Sequence, residues 1–182
     1  THAGRATATI AADPPLFFTV RVSAFPAATG TYTRVAAPNA RSEATVRVVR
    51  AAAARAEVRA LAHARTVVGL GRGATDAALQ PKIRELAELL QAAIAGSRPA
   101  IDAGAVADTA LLGQSGRSVA PDLYLALGIS GAWQHFAGVR DTKVIAAINS
   151  DPQAPIFEWA DYAWVADLET ALPELLAALR RL

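Results

Sequence analysis

The segment most informative about the fold is Arg65–Gly96, "RTVVGLGRGATDAALQPKIRELAELLQAAIAG". It opens with a short apolar run, Arg65–Gly71, that is typical of a buried strand ending in a glycine turn. A longer segment follows, and its apolar spacing predicts a helix over Leu79–Gly96, with Pro81 near the start. A strand that leads into a helix is the repeating unit of an α/β fold.

The same alternation continues to the C terminus. "KVIAAIN" (Lys143–Asn149) and "YAWVAD" (Tyr162–Asp167) are predicted strands, and "ETALPELLAALRRL" is a predicted closing helix. "AID" and "ALLGQ" are short strand candidates, whereas "APDLYLALGIS" and "GAWQHFAG" are predicted helical pieces. This pattern predicts a mainly parallel sheet with helices on both faces, a Rossmann-like three-layer α/β fold.

The N-terminal third has a different pattern of apolar and turn residues. Turn residues such as Asp13-Pro14-Pro15 separate short β-like runs, which predict antiparallel strands. The Ala- and Arg-rich stretch Arg50–Arg65 is ambiguous between helix and loop. We therefore expect a β-rich N-terminal segment with a linker at 1–60, followed by an α/β domain at 61–182. The predicted strands of the first segment are Ala6–Ala12, Leu16–Phe25 and Ala44–Val49.

Composition excludes several classes of protein. Hydrophobic residues make up 53% of the 182 residues and charged residues 19%, which is enough apolar material for a packed core. A net charge of +2 with scattered arginines does not predict a nucleic-acid-binding surface. With no cysteine and three widely separated histidines, neither a disulfide nor a metal site is expected. No apolar run reaches the ~18 residues of a membrane span, so we expect a soluble, cytoplasmic protein.

Polar and glycine residues follow four of the predicted strands, at Gly71–Gly73, Gln114–Gly116, Asn149 and Asp167. Since ligands of open parallel sheets bind outside the carboxyl ends of the strands, this placement predicts a site for a nucleotide-sized ligand. Ser130–Ala132 precede a predicted helix, where free N–H groups suit a phosphate or another anion. The sequence has neither the GxGxxG fingerprint of an NAD-binding domain nor the GxSxG elbow of a hydrolase.

The segment Gly113–Leu168, "GQSGRSVAPDLYLALGISGAWQHFAGVRDTKVIAAINSDPQAPIFEWADYAWVADL", resembles the FAD-binding domain of the electron-transfer flavoprotein alpha subunit. The resemblance runs almost without gaps over this segment. Upstream, "GRG" (Gly71–Gly73) and "AGSRPAIDAG" (Ala95–Gly104) are similar to elements of the same family. "HAGRATATI" and "TVRVSAF" loosely resemble the last strands of the family's first domain, which implies that residues 1–60 are a remnant of that domain.

The resemblance implies a role for each matching residue. Arg72 and Ser97 would bind the pyrophosphate side of FAD, and Arg98 would lie over the isoalloxazine. Ser115 would donate to N5 of the flavin, and His135 would lie near the pyrimidine O2. A cation or strong donor there favours the reduced forms of a flavin. The implied cofactor-binding set is Arg72, Ser97, Arg98, Leu112, Gly113, Gln114, Ser115, Ser130, Gly131, Ala132, Trp133, Gln134, His135, Asn149, Asp167 and Leu168.

The resemblance also implies a function. The chain would be an electron carrier without substrate chemistry of its own, the alpha subunit of a heterodimer with an electron-transfer flavoprotein beta subunit. It would pass single electrons from flavin dehydrogenases, such as acyl-CoA dehydrogenases, to a membrane- or quinone-linked acceptor. The implied location is the bacterial cytoplasm, with no nucleic-acid partner and no membrane insertion.

Several residues depart from the family pattern. Ser115 stands where threonine is usual, Arg117 replaces a lysine, Trp133 replaces an aliphatic residue and Trp164 a small one. Because the tryptophans would narrow the cleft, an alternative stays open: a cofactor-free interaction or assembly module with the same fold and a blocked cleft. The sequence has no methionine, so the chain would be a processed product or a fragment that binds FAD weakly alone.

Overall fold

The computed structural model describes residues 56–181, with side chains described from Ala60 onward. The three predicted N-terminal strands, and most of the predicted segment 1–60, lie outside the described residues. Within the described part of the chain, a five-stranded sheet is accompanied by helices in the order expected of alternating strands and helices.

All five strands of this sheet run parallel, in the order β2-β1-β3-β4-β5. The parallel pairing confirms the predicted α/β class. β1 lies between β2 and β3, so the chain leaves it on one side and returns to it on the other. The strands are β1 (Thr66–Leu70), β2 (Ala93–Gly96), β3 (Leu123–Leu127), β4 (Val144–Asn149) and β5 (Tyr162–Val165).

The helices differ widely in length. The two longest, α2 and α5, contact each other on one side of the sheet. Within residues 56–181, short 3₁₀ turns occur in three of the loops, at Arg72–Ala74, Asp108–Ala110 and Pro155–Glu158. The α-helices are α1 (Ala56–His63), α2 (Gln80–Leu89), α3 (Arg98–Asp102), α4 (Trp133–Phe136) and α5 (Leu168–Leu179).

β1 and β3 are buried on both faces of the sheet, which explains why they are continuous apolar runs, whereas the edge strand β5 is largely exposed. Successive side chains of a strand point to opposite faces. Val68 accordingly packs in a cluster with Ile83 of α2 and Leu172 of α5, whereas Val67 packs in a second cluster with Leu61 of α1. Helices therefore cover both faces, as predicted.

Several elements were predicted correctly. β1, β4 and β5 confirm the strands predicted at Arg65–Gly71, Lys143–Asn149 and Tyr162–Asp167, and α5 confirms the closing helix. "GAWQHFAG" contains α4, as predicted. The ambiguous stretch Arg50–Arg65 contains helix α1 within its described residues.

The prediction of a helix in "APDLYLALGIS" is wrong, since Leu123–Leu127 form β3. Leu125 packs in the cluster of α2 and α5, and Tyr124 packs in the opposite cluster. A run buried on both faces has no polar side to reveal its period, so periodicity alone cannot separate a strand from a helix here.

The helix predicted over Leu79–Gly96 is too long. It ends at Leu89, where Gln91 takes a φ of 49°, and Ala93–Gly96 then form β2. Alanine favours helix, but pairing of these residues with β1 outweighs that local preference. The strand candidate "AID" is also wrong, because these residues lie in α3. "ALLGQ" forms only isolated bridges, Gly96 with Leu111 and Leu112 with Arg117.

The loops that follow β1, β2 and β3 are tied together at one edge of the sheet. The N–H of Gly71 donates to the Leu127 carbonyl at 2.8 Å, and the N–H of Ser97 donates to the Leu70 carbonyl at 2.9 Å. These bonds continue the strand pairing past the strand ends. They bring three loops, distant in sequence, to the same place.

Candidate functional site

A cleft of about 390 Å³ lies at this edge, outside the carboxyl ends of the strands. Its volume falls within the roughly 300–1,000 Å³ of small-molecule sites. It lies beside the junction of β1 with β2 and β3, where the strand order reverses and α/β proteins commonly bind ligands. Twelve predicted site residues line it: Arg72, Ser97, Arg98, Leu112, Gly113, Gln114, Ser115, Ser130, Ala132, Gln134, His135 and Asn149.

Four predicted site residues do not line the cleft. Gly131 is buried with a φ of 90°, and a Cβ there would overlap the backbone of Ile156. Trp133 lies in α4, with 37% of its surface exposed. The carboxylate of Asp167 accepts from the N–H of Glu169 at 2.8 Å and caps α5, while Leu168 packs in the core. Their implied contacts with a cofactor remain predictions.

Five further residues line the cleft outside the implied cofactor-binding set: Gly73, Pro99, Leu111, Gly128 and Ile129. Of these, Gly73 belongs to the strand-end turn Gly71–Gly73 that the sequence predicted at the site, and the other four were not predicted. Each adjoins a predicted site residue or the end of a strand. Gly128 could have been found from its position after "LYLAL", had that run been recognised as a strand. The wrong helix prediction for "APDLYLALGIS", which contains Gly128, concealed that position.

Two glycines hold the loops after β1 and β3 in backbone contact beside the cleft. Gly128 has a φ of 61°, and a Cβ there would lie 2.8 Å from the Cα of Gly73. The N–H of Gly73 also donates to the Gly128 carbonyl at 3.3 Å. A side chain at residue 128 would be strained and would push the two loops apart, so glycine is required here.

Arginine provides the positive charge of the cleft. Arg72 and Arg98 are both exposed and both line it. Among the described residues, the Arg98 guanidinium pairs only with the exposed Asp108, 3.3 Å from its Nη1 to Oδ1. Exposed pairs of this kind are weak, so Arg98 can exchange Asp108 for an anionic ligand.

Backbone N–H groups add to this anion-binding character. Among the described residues, the N–H groups of Ser130 and Ala132 donate to no backbone carbonyl. Both residues are exposed and line the cleft just before α4. Free N–H groups beside two guanidinium groups suit the oxygens of a phosphate or pyrophosphate.

Asn149 closes one side of the cleft at the end of β4. Its Nδ2 donates to the Ile129 carbonyl at 2.9 Å, and its Oδ1 accepts from the N–H of Asp151 at 3.0 Å. The side chain thus links the loops after β3 and β4. Its position in the cleft is set by these two bonds.

His135 is one of two buried polar residues in the described part of the chain, with 7% of its surface exposed. Its Nε2 lies 2.7 Å from the hydroxyl of Tyr124, a fully buried residue of β3. Its Nδ1 is buried without a partner of hydrogen-bond geometry among the described residues, although the Leu112 backbone lies close enough to affect the ring. Tyr124 was not among the predicted site residues, since its neighbours in the sequence, Leu123 and Leu125, are apolar.

Burial decides the protonation state of this pair. It lowers the pKa of His135 to about 4, with the Leu112 backbone acting in the opposite direction. Burial also raises the pKa of the Tyr124 phenol. The imidazole is therefore neutral at physiological pH, so of the two cations expected to favour a reduced flavin, only Arg98 carries charge.

Neither tryptophan suspected of narrowing the cleft lines it. Trp164 instead lies beside Leu175 and Ala178 of α5, in a shallow groove elsewhere on the surface. Trp159 stacks on Phe136, with ring centroids 4.0 Å apart. The cleft is open in this structure, and the main argument for a blocked site is lost.

Residues 60–140 match the model of the electron transfer flavoprotein FAD-binding domain. The chain is also similar to curated proteins named as alpha subunits of electron transfer flavoproteins. It is 53% identical over 119 residues to a probable mitochondrial subunit of Caenorhabditis elegans, covering 65% of this chain and 36% of that protein. It is 40% identical over 192 residues to the mitochondrial subunit of Dictyostelium discoideum, covering 99% of this chain and 54% of that protein.

A bacterial relative gives the same picture. The alpha subunit of Paracoccus denitrificans is 50% identical over 119 residues, covering 65% of this chain and 39% of that protein. The chain thus spans about half, or less, of the length of these relatives.

None of the helices within residues 56–181 has the length and apolar character needed to cross a membrane. No group of three or more His, Asp or Glu side chains in that part of the chain is arranged to hold a metal ion.

Proposed function

We propose that this chain, which belongs to the family of electron transfer flavoprotein FAD-binding domains, binds FAD in the cleft and acts as an electron carrier. FAD supplies the redox chemistry when bound, and the protein supplies binding, orientation and electrostatics. One observation carries the proposal: loops from four strand ends and the segment Leu111–Ser115 meet in a single cleft.

The residues of the cleft fit FAD. Two exposed guanidinium groups and free backbone N–H groups match a pyrophosphate, and the glycine contact between residues 73 and 128 leaves the backbone accessible. Arg72 and Ser97 would hold the pyrophosphate, and Arg98 would lie over the isoalloxazine. The hydroxyl of Ser115 would donate a hydrogen bond at the ring edge.

The carrier role extends to partners. A beta subunit would complete a heterodimer, flavin dehydrogenases such as acyl-CoA dehydrogenases would donate electrons, and a membrane- or quinone-linked protein would accept them. The alpha-subunit names of the relatives support the pairing with a beta subunit. Since the cleft offers binding groups and no acid–base pair, we propose that the chain has no substrate chemistry of its own. We propose the bacterial cytoplasm as its location; a bacterium, Paracoccus denitrificans, has such a relative.

Titration with FAD, followed by quenching of flavin fluorescence, tests the proposal. We expect the full chain to bind FAD, alone or with its beta subunit, and to become yellow. Arg98→Ala should weaken binding by about 10-fold or more, as expected for loss of a charge-assisted contact. Arg140→Ala is the matched control, because Arg140 is an exposed arginine that does not line the cleft. A colourless protein that fails to bind FAD even with the beta subunit would favour the cofactor-free module.

A further inference from the structure

The contact between Tyr124 and His135 joins the sheet to the wall of the cleft. Tyr124 belongs to β3 and is fully buried, and its hydroxyl lies 2.7 Å from Nε2 of His135. His135 lines the cleft, but Tyr124 does not. Any effect of Tyr124 on a bound ligand must therefore pass through the imidazole ring.

The direction of this hydrogen bond follows from which polar groups it leaves unsatisfied. A neutral imidazole has one donor and one acceptor, whereas a phenol can do both. If Nε2–H donated, the phenol proton would need a second acceptor, and the described residues offer none. Nδ1 would then be a buried acceptor without a donor. If the phenol donates, Nε2 is satisfied and the ring proton lies on Nδ1, near the Leu112 backbone.

Protonation equilibria support the same direction. Burial raises the pKa of Tyr124 and lowers the pKa of His135 to about 4. The proton therefore stays on the phenol, and the ring stays neutral.

The sheet keeps space for the phenol group. A Cβ at Gly69 of β1 would overlap the Tyr124 hydroxyl. Gly69 is opposite Ala126 in the parallel pairing of β1 with β3, so it faces the strand that carries Tyr124. The absence of a side chain at residue 69 permits the hydroxyl to reach His135.

We propose that Tyr124 is a positioning residue of the cleft: its hydroxyl donates to Nε2 of His135, selects the neutral tautomer protonated on Nδ1 and fixes the ring at the cleft wall. The ring lies between β3 and the Leu112 backbone, next to the turn that begins at Gly113. That turn is also tied to α4, because the N–H of Gln114 donates to the Gln134 carbonyl at 2.7 Å. Only the effect on FAD rests on the proposed function; the tautomer is a property of the chain itself.

Imidazole ¹⁵N–¹H correlation spectra of the full chain without FAD test this inference, with His135→Gln used to assign the resonances. We expect wild-type His135 to show a protonated Nδ1 and an unprotonated Nε2. Tyr124→Phe removes the donor, so the tautomer ratio should move toward Nε2–H by about 2- to 10-fold. The pKa of His135 should rise, because the lost bond favours the neutral ring. Tyr162→Phe is the control, since Tyr162 is 69% exposed and does not line the cleft.

A wild-type spectrum with the proton on Nε2 would overturn the proposal. So would a Tyr124→Phe variant whose tautomer ratio and His135 pKa equal those of wild type. If Tyr124→Phe does not fold, the wild-type tautomer still decides the direction of the bond. An FAD titration of Tyr124→Phe gives a separate readout, and weaker binding is expected. If the wild type itself binds no FAD, the proposed function fails while the tautomer assignment stands.

Discussion

A neutral His135 means that the positive charge of the cleft comes from guanidinium groups. Arg72 and Arg98 both line the cleft and are exposed enough to move toward a ligand. The imidazole contributes a fixed, uncharged ring at the wall of the cleft. Charge and position are thus supplied by different residues.

The buried imidazole should make the stability of the protein depend on pH. Its pKa is about 4 in the folded state and about 6.5 in an unfolded chain, so the unfolded state takes up the proton first. This contribution is complete above about pH 6.5 and is lost as pH falls to about 4, by about 3 kcal/mol in total. Urea unfolding of the FAD-free chain at about pH 7.5, 5.5 and 4.5 measures it.

His135→Gln is the control for this prediction, since it removes the titrating group and should flatten the curve in this pH window. Asp122 does not interfere. Its hydrogen bonds from Lys143 and Arg65 lower its pKa, so the stability it contributes is lost only at still lower pH. Equal pH dependence in wild type and variant would contradict the prediction.

Gly128→Ala should damage the cleft more than the fold. The added Cβ meets the Gly73 backbone, and the φ of 61° strains any residue but glycine. Relief of that strain separates the loops after β1 and β3, and we expect FAD affinity to fall by about 10-fold or more. Gly104→Ala is a matched control, because Gly104 has a similar φ of 73° but open space around it. Titration with FAD compares the two, and similar affinities would refute the role of the glycine contact.

At the scale of elements, Asp167 is the side chain that starts α5. Its Oδ1 accepts from the N–H of Glu169, so Asp167→Ala should lower the free energy of unfolding by about 1 kcal/mol. Asp167→Ser keeps an acceptor at the cap and should restore most of that loss. Urea unfolding measures both variants, and an unchanged stability in Asp167→Ala would contradict the capping role. FAD titration of Asp167→Ser also tests the predicted cofactor contact of this residue.

The elements that could be predicted from the sequence were those with one exposed side or a clear boundary. α5 has an apolar stripe and an acidic cap, and β1 ends in a glycine turn. β2 and β3 could not be recognised for a common reason: each is short, and their local composition does not oppose a helix. β2 becomes a strand by pairing with β1, and β3 by pairing with β1 and β4. Those partners are distant in sequence, so no local pattern reveals them.

The residues of the candidate site also fall into two groups: some are revealed by a local pattern, and others depend on contacts between distant parts of the chain. Residues within the quoted family motif, such as Ser97 and His135, were expected and do line the cleft. Gly128 and Tyr124 were missed because their importance depends on contacts with Gly73 and His135 across the fold. Asp167 and Leu168 lie within the motif but outside the cleft, where Asp167 caps α5 and Leu168 packs in the core. Their contacts with a cofactor stay predictions.

At the scale of the whole molecule, FAD should stabilise the fold by mass action. A ligand that binds only the folded state adds about 2.7 kcal/mol at 100 times its Kd. We expect the free energy of unfolding of the full chain to rise by that amount at saturating FAD, as measured by urea unfolding. At the same FAD concentration, the free energy of unfolding of Arg98→Ala should rise by less, because the stabilisation depends on the logarithm of the ratio of FAD concentration to Kd. A wild-type protein with no gain would show that FAD does not bind the folded chain.

The position of β1 between β2 and β3 also affects when the cleft can form during folding. β2 follows β1 in the sequence after a single α-helix. β3 follows β1 only after α2, β2 and α3. Strands so far apart in the sequence can pair only after a long loop has closed. The entropy lost in closing that loop is not offset until apolar surface is buried, so such steps are slow. Because the cleft lies at the junction of β1 with β3, its walls come together only when that slow pairing is complete. We therefore expect a newly made chain to become able to bind the cofactor late in its folding.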